Sequence, residues 1–353
     1  MIGCDEPKNS WSASPLNPHE MTVAVLQGGI SAEREVSLRS GSNVSEGLRQ
    51  LGFTVAVLDA ADLDFIEKLR ELKPQLVFNA LHGRYGEDGT IQGLLEILDI
   101  PYTGSGVLAS ALAMNKQVSK ELFEQAGLST PKGRLITLDD LGDNVQFATA
   151  NLEEGKQTDV TDKLFAELTE SLGTNHFAVK PNSEGSSVGV SLIDSPEQFP
   201  LALKTAMMGE GQAFHSALVE EYIPGRELTV SVLGDAKNAA TALPVIEIKT
   251  KSGFYHFENK YVSGGSSFTC PADIDADTTR ICQELALAAH DVLGCQGYSR
   301  SDIRLRDDGV VYLLETNTLP GLTSGSLIPK AAAAAGIELP ELLMTIVSYA
   351  LSK

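Results

Sequence analysis

The sequence predicts an α/β fold with a parallel N-terminal sheet, continuing into α+β parts. Three observations predict it. Strand-like and helical segments alternate through roughly residue 104. Later strands read as antiparallel and end in a strong hairpin at 300–317. The 353 residues, 42% hydrophobic, exceed one ordinary core, so two or three domains are expected.

The elements follow in order. Strand Thr22 to Leu26 runs into Gly28-Gly29, and a helix extends to about Gln50. Val44, Leu48 and Leu51 recur at helical spacing, with Gly52 as the stop. Strand Thr54 to Leu58, a helix from Leu63 to Leu72 and the apolar strand Leu76 to Leu81 complete a β-α-β-α-β series. One helix is predicted over Val107 to Ala126, ending at Gly127. Residues 139–171 hold nine acids against two lysines and read as a solvated helical insert. Strand Phe177 to Lys180 and strand Val190 to Ile193 are joined by a Gly/Ser loop at 182–189. Strands follow at 218–223, 227–233 and 242–249, and then a loop at 254–267. A helix at 281–293 precedes the hairpin. Two final helices follow, one stopping at Gly336 and one carrying Pro340 in its first turn.

Composition narrows the function. Twenty-seven basic against 47 acidic residues give a net charge of −20, which repels phosphate backbones and disfavours general nucleic-acid binding. No run of ~18 apolar residues predicts a membrane span. Cys4, Cys270, Cys282 and Cys295 lack zinc-site spacing, and a reduced, cytoplasmic location is expected. Residues 1–21 read as a flexible extension without signal-peptide character.

The hairpin carries the sharpest local chemistry. A two-residue Asp308-Gly309 turn sets Asp302 opposite Glu315 and Arg300 opposite Asn317, all on one face. Ile303, Leu305, Val310, Tyr312 and Leu314 then form the core face. Opposed carboxylates repel unless a positive charge joins them. A divalent cation with Asn317 as third oxygen ligand does so; so does a ladder of Arg300, Arg304 and Arg306. The 182–189 loop can present backbone N–H groups to an anion, beside Lys180. No dinucleotide or P-loop glycine motif is present. Gly28-Gly29 reads as a tight turn and His82 as a structural histidine. Glu33 reads as a helix-dipole carboxylate.

Taken together, six ordered stretches resemble the D-alanine–D-alanine ligase family. They are LQGGISAEREVSL (26–38), ALHGRYGEDGTIQG (80–93), PYTGSG (101–106), VKPNSEGSSVG (179–189), KYVS (260–263) and ETNTLPGLTSGSLIP (315–329). The resemblance implies the ATP-grasp fold in three domains: an N-terminal substrate domain at 22–104, a central domain at 105–223 and a C-terminal domain at 224–353. It implies ATP as a substrate and two Mg²⁺ or Mn²⁺ ions. The implied reaction joins two D-alanines through a D-alanyl phosphate for peptidoglycan synthesis. A homodimer is the family expectation.

Residue roles are likewise implied by the resemblance. Asp302, Glu315 and Asn317 correspond to the metal ligands. Lys116, Lys180 and Lys260 correspond to lysines contacting phosphates. Glu220, Glu221 and Ile223 fall in the adenine hinge, and Glu227 matches the ribose contact. Glu33, with His82 nearby, anchors the first ammonium; Ser186 and Tyr261 close the site over it. Ser326 and Leu327 hold the second carboxylate, and Arg300 with Gly321 forms the oxyanion hole. Asn115 departs from the family's usual Asp. Tyr261 argues for a dipeptide product over a D-alanyl-D-lactate depsipeptide. A non-catalytic descendant of the scaffold is the rival from another class, and the retained metal ligands and lysines argue against it.

Overall fold

The structure is a computed structural model. It describes residues 17–142, 157–186, 188–208, 216–235, 240–250 and 266–352. Lys260 and Tyr261 lie outside the described residues, as do most of the expected extension and of the 254–267 loop.

The first sheet has the parallel order β2-β1-β3, from β1 (Thr22–Gln27), β2 (Thr54–Asp59) and β3 (Leu76–Asn79). Its strands alternate. Val23 and Val25 enter one apolar cluster, Ala24 and Leu26 another. Both faces are covered, as a parallel sheet requires. One cover is α1 (Arg34–Gln50), whose buried face is mostly small: Ser37, Ser40, Gly41, Ser45 and Gly47. The other cover is α2 (Phe65–Leu72) with α3 (Thr90–Ile97). Helix α3 was not foreseen, because its residues fall in a stretch read only as a motif.

The expected helix over 107–126 is two helices, α4 (Val107–Met114) and α5 (Lys116–Gln125). Asn115 has an extended backbone between them and caps α5, accepting from the Val118 amide at 3.1 Å. Phe123 of α5 packs with the strands of the last sheet.

The second sheet runs β4-β7-β5-β6, from β4 (Gly133–Thr137), β5 (Phe177–Pro181), β6 (Ser191–Ile193) and β7 (Ser216–Glu221). One face carries α6 (Asp159–Leu172) and α7 (Phe199–Met207). The insert expectation is therefore corrected over 159–172: Leu164, Phe165, Leu168 and Leu172 are core, and Phe165 meets the rings of Phe177 and Phe199 edge-on. Acids outnumber bases nine to two over 139–171, yet one apolar stripe at helical spacing suffices to bury this helix. Helix α7 was also unforeseen.

The third sheet runs β11-β10-β8-β12-β13, with β9 beside β8. Its strands are β8 (Arg226–Leu233), β9 (Thr241–Ala242), β10 (Ile246–Thr250), β11 (Ser266–Thr269), β12 (Tyr298–Leu305) and β13 (Val311–Asn317). The expected strand over 242–249 is thus split into β9 and β10. Helix α8 (Ala276–Val292) covers one face. The chain ends in α9 (Leu327–Ala334) and α10 (Leu339–Leu351). Helix α10 crosses back to pack against α1 and β3.

The hairpin expectation is corrected in detail. Its loop has three residues, with Arg306 and Val310 bonded across it and Gly309 left-handed at φ 87°. That shifts the partners near the turn to Leu305↔Val311 and Ile303↔Leu313. A bulge between Asp302 and Ile303 then restores Asp302↔Glu315 and Arg300↔Asn317. Val311 and Leu313, not Val310, Tyr312 and Leu314, join Ile303 and Leu305 in the core.

Candidate active site

Strand alternation brings the polar groups together. On β5, Phe177 and Val179 face the core while Lys180 lines a cleft; on β7, Val219 faces the core and Glu220 the same cleft. On β8, Leu228 and Val230 are core while Glu227 lines that cleft. The cleft encloses about 90 Å³ between the second and third sheets, and its rim includes Glu221, Tyr222 and Ile223. Glu227 sits 3.4 Å from the Arg304 guanidinium, which lies over the Tyr222 ring. Arg304 thus pairs with Glu227 of β8, while Arg300 pairs with Asp302. Lys180 pairs with Glu220 in the buried wall. Burial alone would lower the Lys180 ammonium, but Glu220 and Glu315 outweigh it and raise it.

A larger cleft, about 350 Å³, opens at the carboxyl edge of the first sheet. Lys116, Glu184, Asp302 and Glu315 line both clefts, so the two meet there. Arg300 forks onto Asp302 with two bonds of 2.8 Å, and Thr229 donates to the same carboxylate at 2.8 Å. Lys116 lies 3.3 Å from Glu315 and also donates to the Glu184 carbonyl. Among the described residues no three His, Cys, Asp or Glu gather as a metal cluster. The oxygen set is two opposed carboxylates and the Asn317 amide, whose oxygen also accepts from Leu319 N. Two facing acids that each recruit a cation fit a hard divalent ion.

Glu33 immediately precedes α1 and is buried. Ser186 donates to its carboxylate, and a Cβ on Gly185 would stand 2.8 Å from Glu33 Oε2. The 182–189 loop is thus folded down onto Glu33, with Ser186 left-handed at φ 51°. His82 is buried, 3.2 Å from Glu87 and 3.0 Å from Ser40 Oγ. Burial would lower its imidazole, but Glu87 outweighs it and raises it. Ser40 Oγ in turn accepts from Leu322 N at 3.4 Å. Ser326 precedes α9, bonds Thr323 through its hydroxyl and stands 3.0 Å from a Cβ placed on Gly321. Ser326, Leu327 and Gly321 line the larger cleft opposite Glu33.

Of the residues given a metal, nucleotide, substrate or catalytic role, all except Lys260 and Tyr261 are described, and the described ones line these two clefts. Sequence reading missed Ser40, Glu87, Glu184 and Arg39, which line or brace the larger cleft. It also missed Lys120 and Asn182, which brace the smaller cleft and the loop. Arg39 is the one with a readable signal: it is a cation one turn beyond Glu35 on the face that carries Val36. Gly28-Gly29 is a structural turn, as expected. Asp59 accepts from Gly29 N and is held by Arg34, and a Cβ on Gly28 would lie 2.3 Å from Asp59.

Known proteins of one family resemble this chain along most of its length. Residues 61–105 match the family described as D-ala D-ala ligase N-terminus, and residues 141–348 match D-ala D-ala ligase C-terminus. The D-alanine–D-alanine ligase of Sphingopyxis alaskensis is 40% identical over 333 residues, covering 94% of this chain and 98% of that protein. That of Paramagnetospirillum magneticum is 43% identical over 337 residues, covering 93% and 98%. The crystal structure of the Bacillus anthracis ligase complexed with ATP superimposes with a TM-score of 0.73 at 31% identity, covering 94% of this chain and 98% of that one. The fold is ATP-grasp, and the chain belongs to the D-alanine–D-alanine ligase family.

Proposed function

We infer that the larger cleft holds the two D-alanines and the smaller one the adenosine of ATP, with phosphoryl transfer where they meet. The observation that carries this reading is the shared lining of Lys116, Glu184, Asp302 and Glu315. The reaction of the family is ATP-dependent joining of two D-alanines, with Mg²⁺, for peptidoglycan precursors. ATP phosphorylates the first D-alanine carboxylate; the second amine attacks the acyl phosphate, and phosphate leaves.

The chain's own residues divide the work. Glu220 to Ile223 border the adenine and Glu227 meets the ribose. Lys116 and Lys180 neutralise phosphate charge, with Lys260 in the same role. Glu33 anchors the first ammonium, and His82 stands beside it. Ser186, with Tyr261, closes the loop over the acyl phosphate and keeps water from it. The Ser326 hydroxyl and the Leu327 backbone amide, at the start of α9, receive the second carboxylate. Arg300 and the Gly321 amide stabilise the oxygen that gains charge during attack. Asp302, Glu315 and Asn317 would hold divalent cations, which neutralise the repulsion between carboxylate and phosphate.

The segments 22–104, 105–223 and 224–353 are assigned as three domains, supported by one sheet in each. A cytoplasmic location is supported by ATP use and by the free thiols of Cys270, Cys282 and Cys295. Among the described residues no single helix is long and apolar enough to cross a membrane. No nucleic-acid or membrane partner is proposed, given the net charge of −20. Homodimerisation is supported by Ile97 and Leu108, which are 83% and 71% exposed on the neighbouring helices α3 and α4. Sedimentation at micromolar concentration tests it, and a monomer would remove it.

The site assignment is tested by a kinetic split. Glu227→Ala is expected to raise KM for ATP while sparing D-alanine, and Ser326→Ala to raise KM for the second D-alanine while sparing ATP. Either variant showing the opposite pattern exchanges the clefts. D-alanyl-D-alanine, identified by mass, is the expected product even with D-lactate present; a depsipeptide as main product would overturn the Tyr261 argument. The attacking amine must be neutral, so turnover should rise from neutral into mildly alkaline pH. A flat profile would count against rate-limiting attack by that amine.

A further inference from the structure

One buried cation stands outside both clefts. Lys120, on α5, is 4% exposed and lines neither of them. Its ammonium lies 2.8 Å from Glu220 Oε1 and donates to Thr130 Oγ1 at 2.9 Å and to the Pro131 carbonyl. Two of its N–H groups thus donate to neutral oxygens, and its charge is paired with Glu220, whose Oε1 takes no hydrogen bond. Glu220 is 2% exposed, and its other oxygen, Oε2, pairs with Lys180. One carboxylate is therefore divided between two lysines, one oxygen each. Burial depresses the Lys120 ammonium. Burial would also raise Glu220, but Lys180 and Lys120 outweigh it and hold the carboxyl below its ordinary range.

We propose that Lys120 is a positioning residue for nucleotide binding: it occupies one oxygen of Glu220, so that Lys180 keeps a positive charge available to the phosphates of ATP. The proposal rests on reading the smaller cleft as the nucleotide site. Two ammoniums and one carboxylate leave a net single positive charge in a poorly solvated wall. Without Lys120 the remaining Glu220–Lys180 pair is neutral. A carboxylate with both oxygens unoccupied then draws Lys180 in, and the phosphates must compete with it at short range. Lys120 also pins Pro131, which lines the same cleft, so one ammonium sets both the charge and the wall.

The rival reading is a helix-to-strand staple with no electrostatic part. Kinetics and ADP calorimetry with Mg²⁺ on the full chain separate the two. Lys120→Met is expected to raise KM for ATP and the ADP Kd at least about tenfold, with both D-alanine KM values within about twofold. Lys120→Arg, which keeps the charge, should recover most of the loss. Thr130→Val is the decisive control. It removes one of the neutral staple contacts and leaves both ammoniums and the carboxylate in place, so its ADP affinity should stay within about threefold of wild type. It leaves no buried charge unpaired, and so remains measurable if Lys120→Met does not fold. Unchanged ATP affinity in Lys120→Met, or a Thr130→Val protein weakened more than about tenfold, would overturn the proposal. Glu227→Ala is measured alongside. If it leaves ADP affinity intact while wild type binds, the cleft assignment itself fails, whatever Lys120 does.

Discussion

On the proposed reading, Glu33 serves two partners with one carboxylate. It accepts from Ser186 of the folded-down loop, and it faces the cleft where the first ammonium is placed. Glu33→Gln keeps the shape and removes the charge. It should lower kcat/KM for D-alanine on the order of 10²-fold, with KM for ATP unchanged, measured by ADP release. Two residues far from the chemistry contribute to the acid stability. His290 is buried between Ser299 Oγ (2.7 Å) and the Gly234 carbonyl (3.1 Å), and burial lowers its imidazole from 6.5 to about 4. The unfolded chain then binds the extra proton first, so stability is complete above pH 6.5 and declines as pH falls towards 4. Asp59, held by the Arg34 bond, is lowered from 3.8 to about 2, so its contribution persists above 3.8 and is lost as pH falls through 2. Urea midpoints against pH should show the first decline in wild type and not in His290→Asn. An equal decline in both would remove the His290 account.

Element boundaries turn on caps and bulges. Asn115 accepts from Val118 N to start α5 and from the Asn182 side chain, which in turn receives Gln117 N. Asn115→Ala should therefore cost about 1 kcal/mol of stability. It should also loosen the 182–189 loop, seen as a lower melting temperature with faster amide exchange there. The helix ends marked by glycine were legible in sequence, because Gly52, Gly127 and Gly336 take left-handed backbones that other residues resist. The break at Asn115 was not legible, since no Gly or Pro marks it. Facing carboxylates at Asp302 and Glu315 were legible for an incomplete reason: a longer loop and a bulge offset one another, and the intervening residues changed face. The motifs supplied most of the residues that line the two clefts, but Lys120 was invisible. Its partner Glu220 is 100 positions away, and local pattern carries no information about such a pair.

At the scale of the whole molecule, the ends of the chain share one core. Val23, Val25, Val44 and Phe78 pack with Leu342, Leu343, Ile346 and Val347. A Cβ on Gly47 would stand 2.5 Å from Leu343 Cδ1, so α1 and α10 touch almost backbone to side chain. Gly47→Ala should destabilise by about 1–3 kcal/mol through overpacking, read as a lower urea midpoint. The net charge of −20 adds self-repulsion, so wild-type stability should rise between low salt and about 0.5 M salt. No gain would mean the acids are already paired.

The shared core also dictates an order of events on the ribosome. The second sheet and its two helices draw their cluster from residues 136–219 alone, so that core can close while synthesis continues. The first sheet is translated before that core, yet Leu342 to Val347 complete its cover, and those residues are made after every strand of the three sheets. The sheet made first is thus the last to be covered. A message truncated before α10 should yield a chain with a native middle and an exposed strip along β1 and β3, which is the form that chaperones hold and proteases remove.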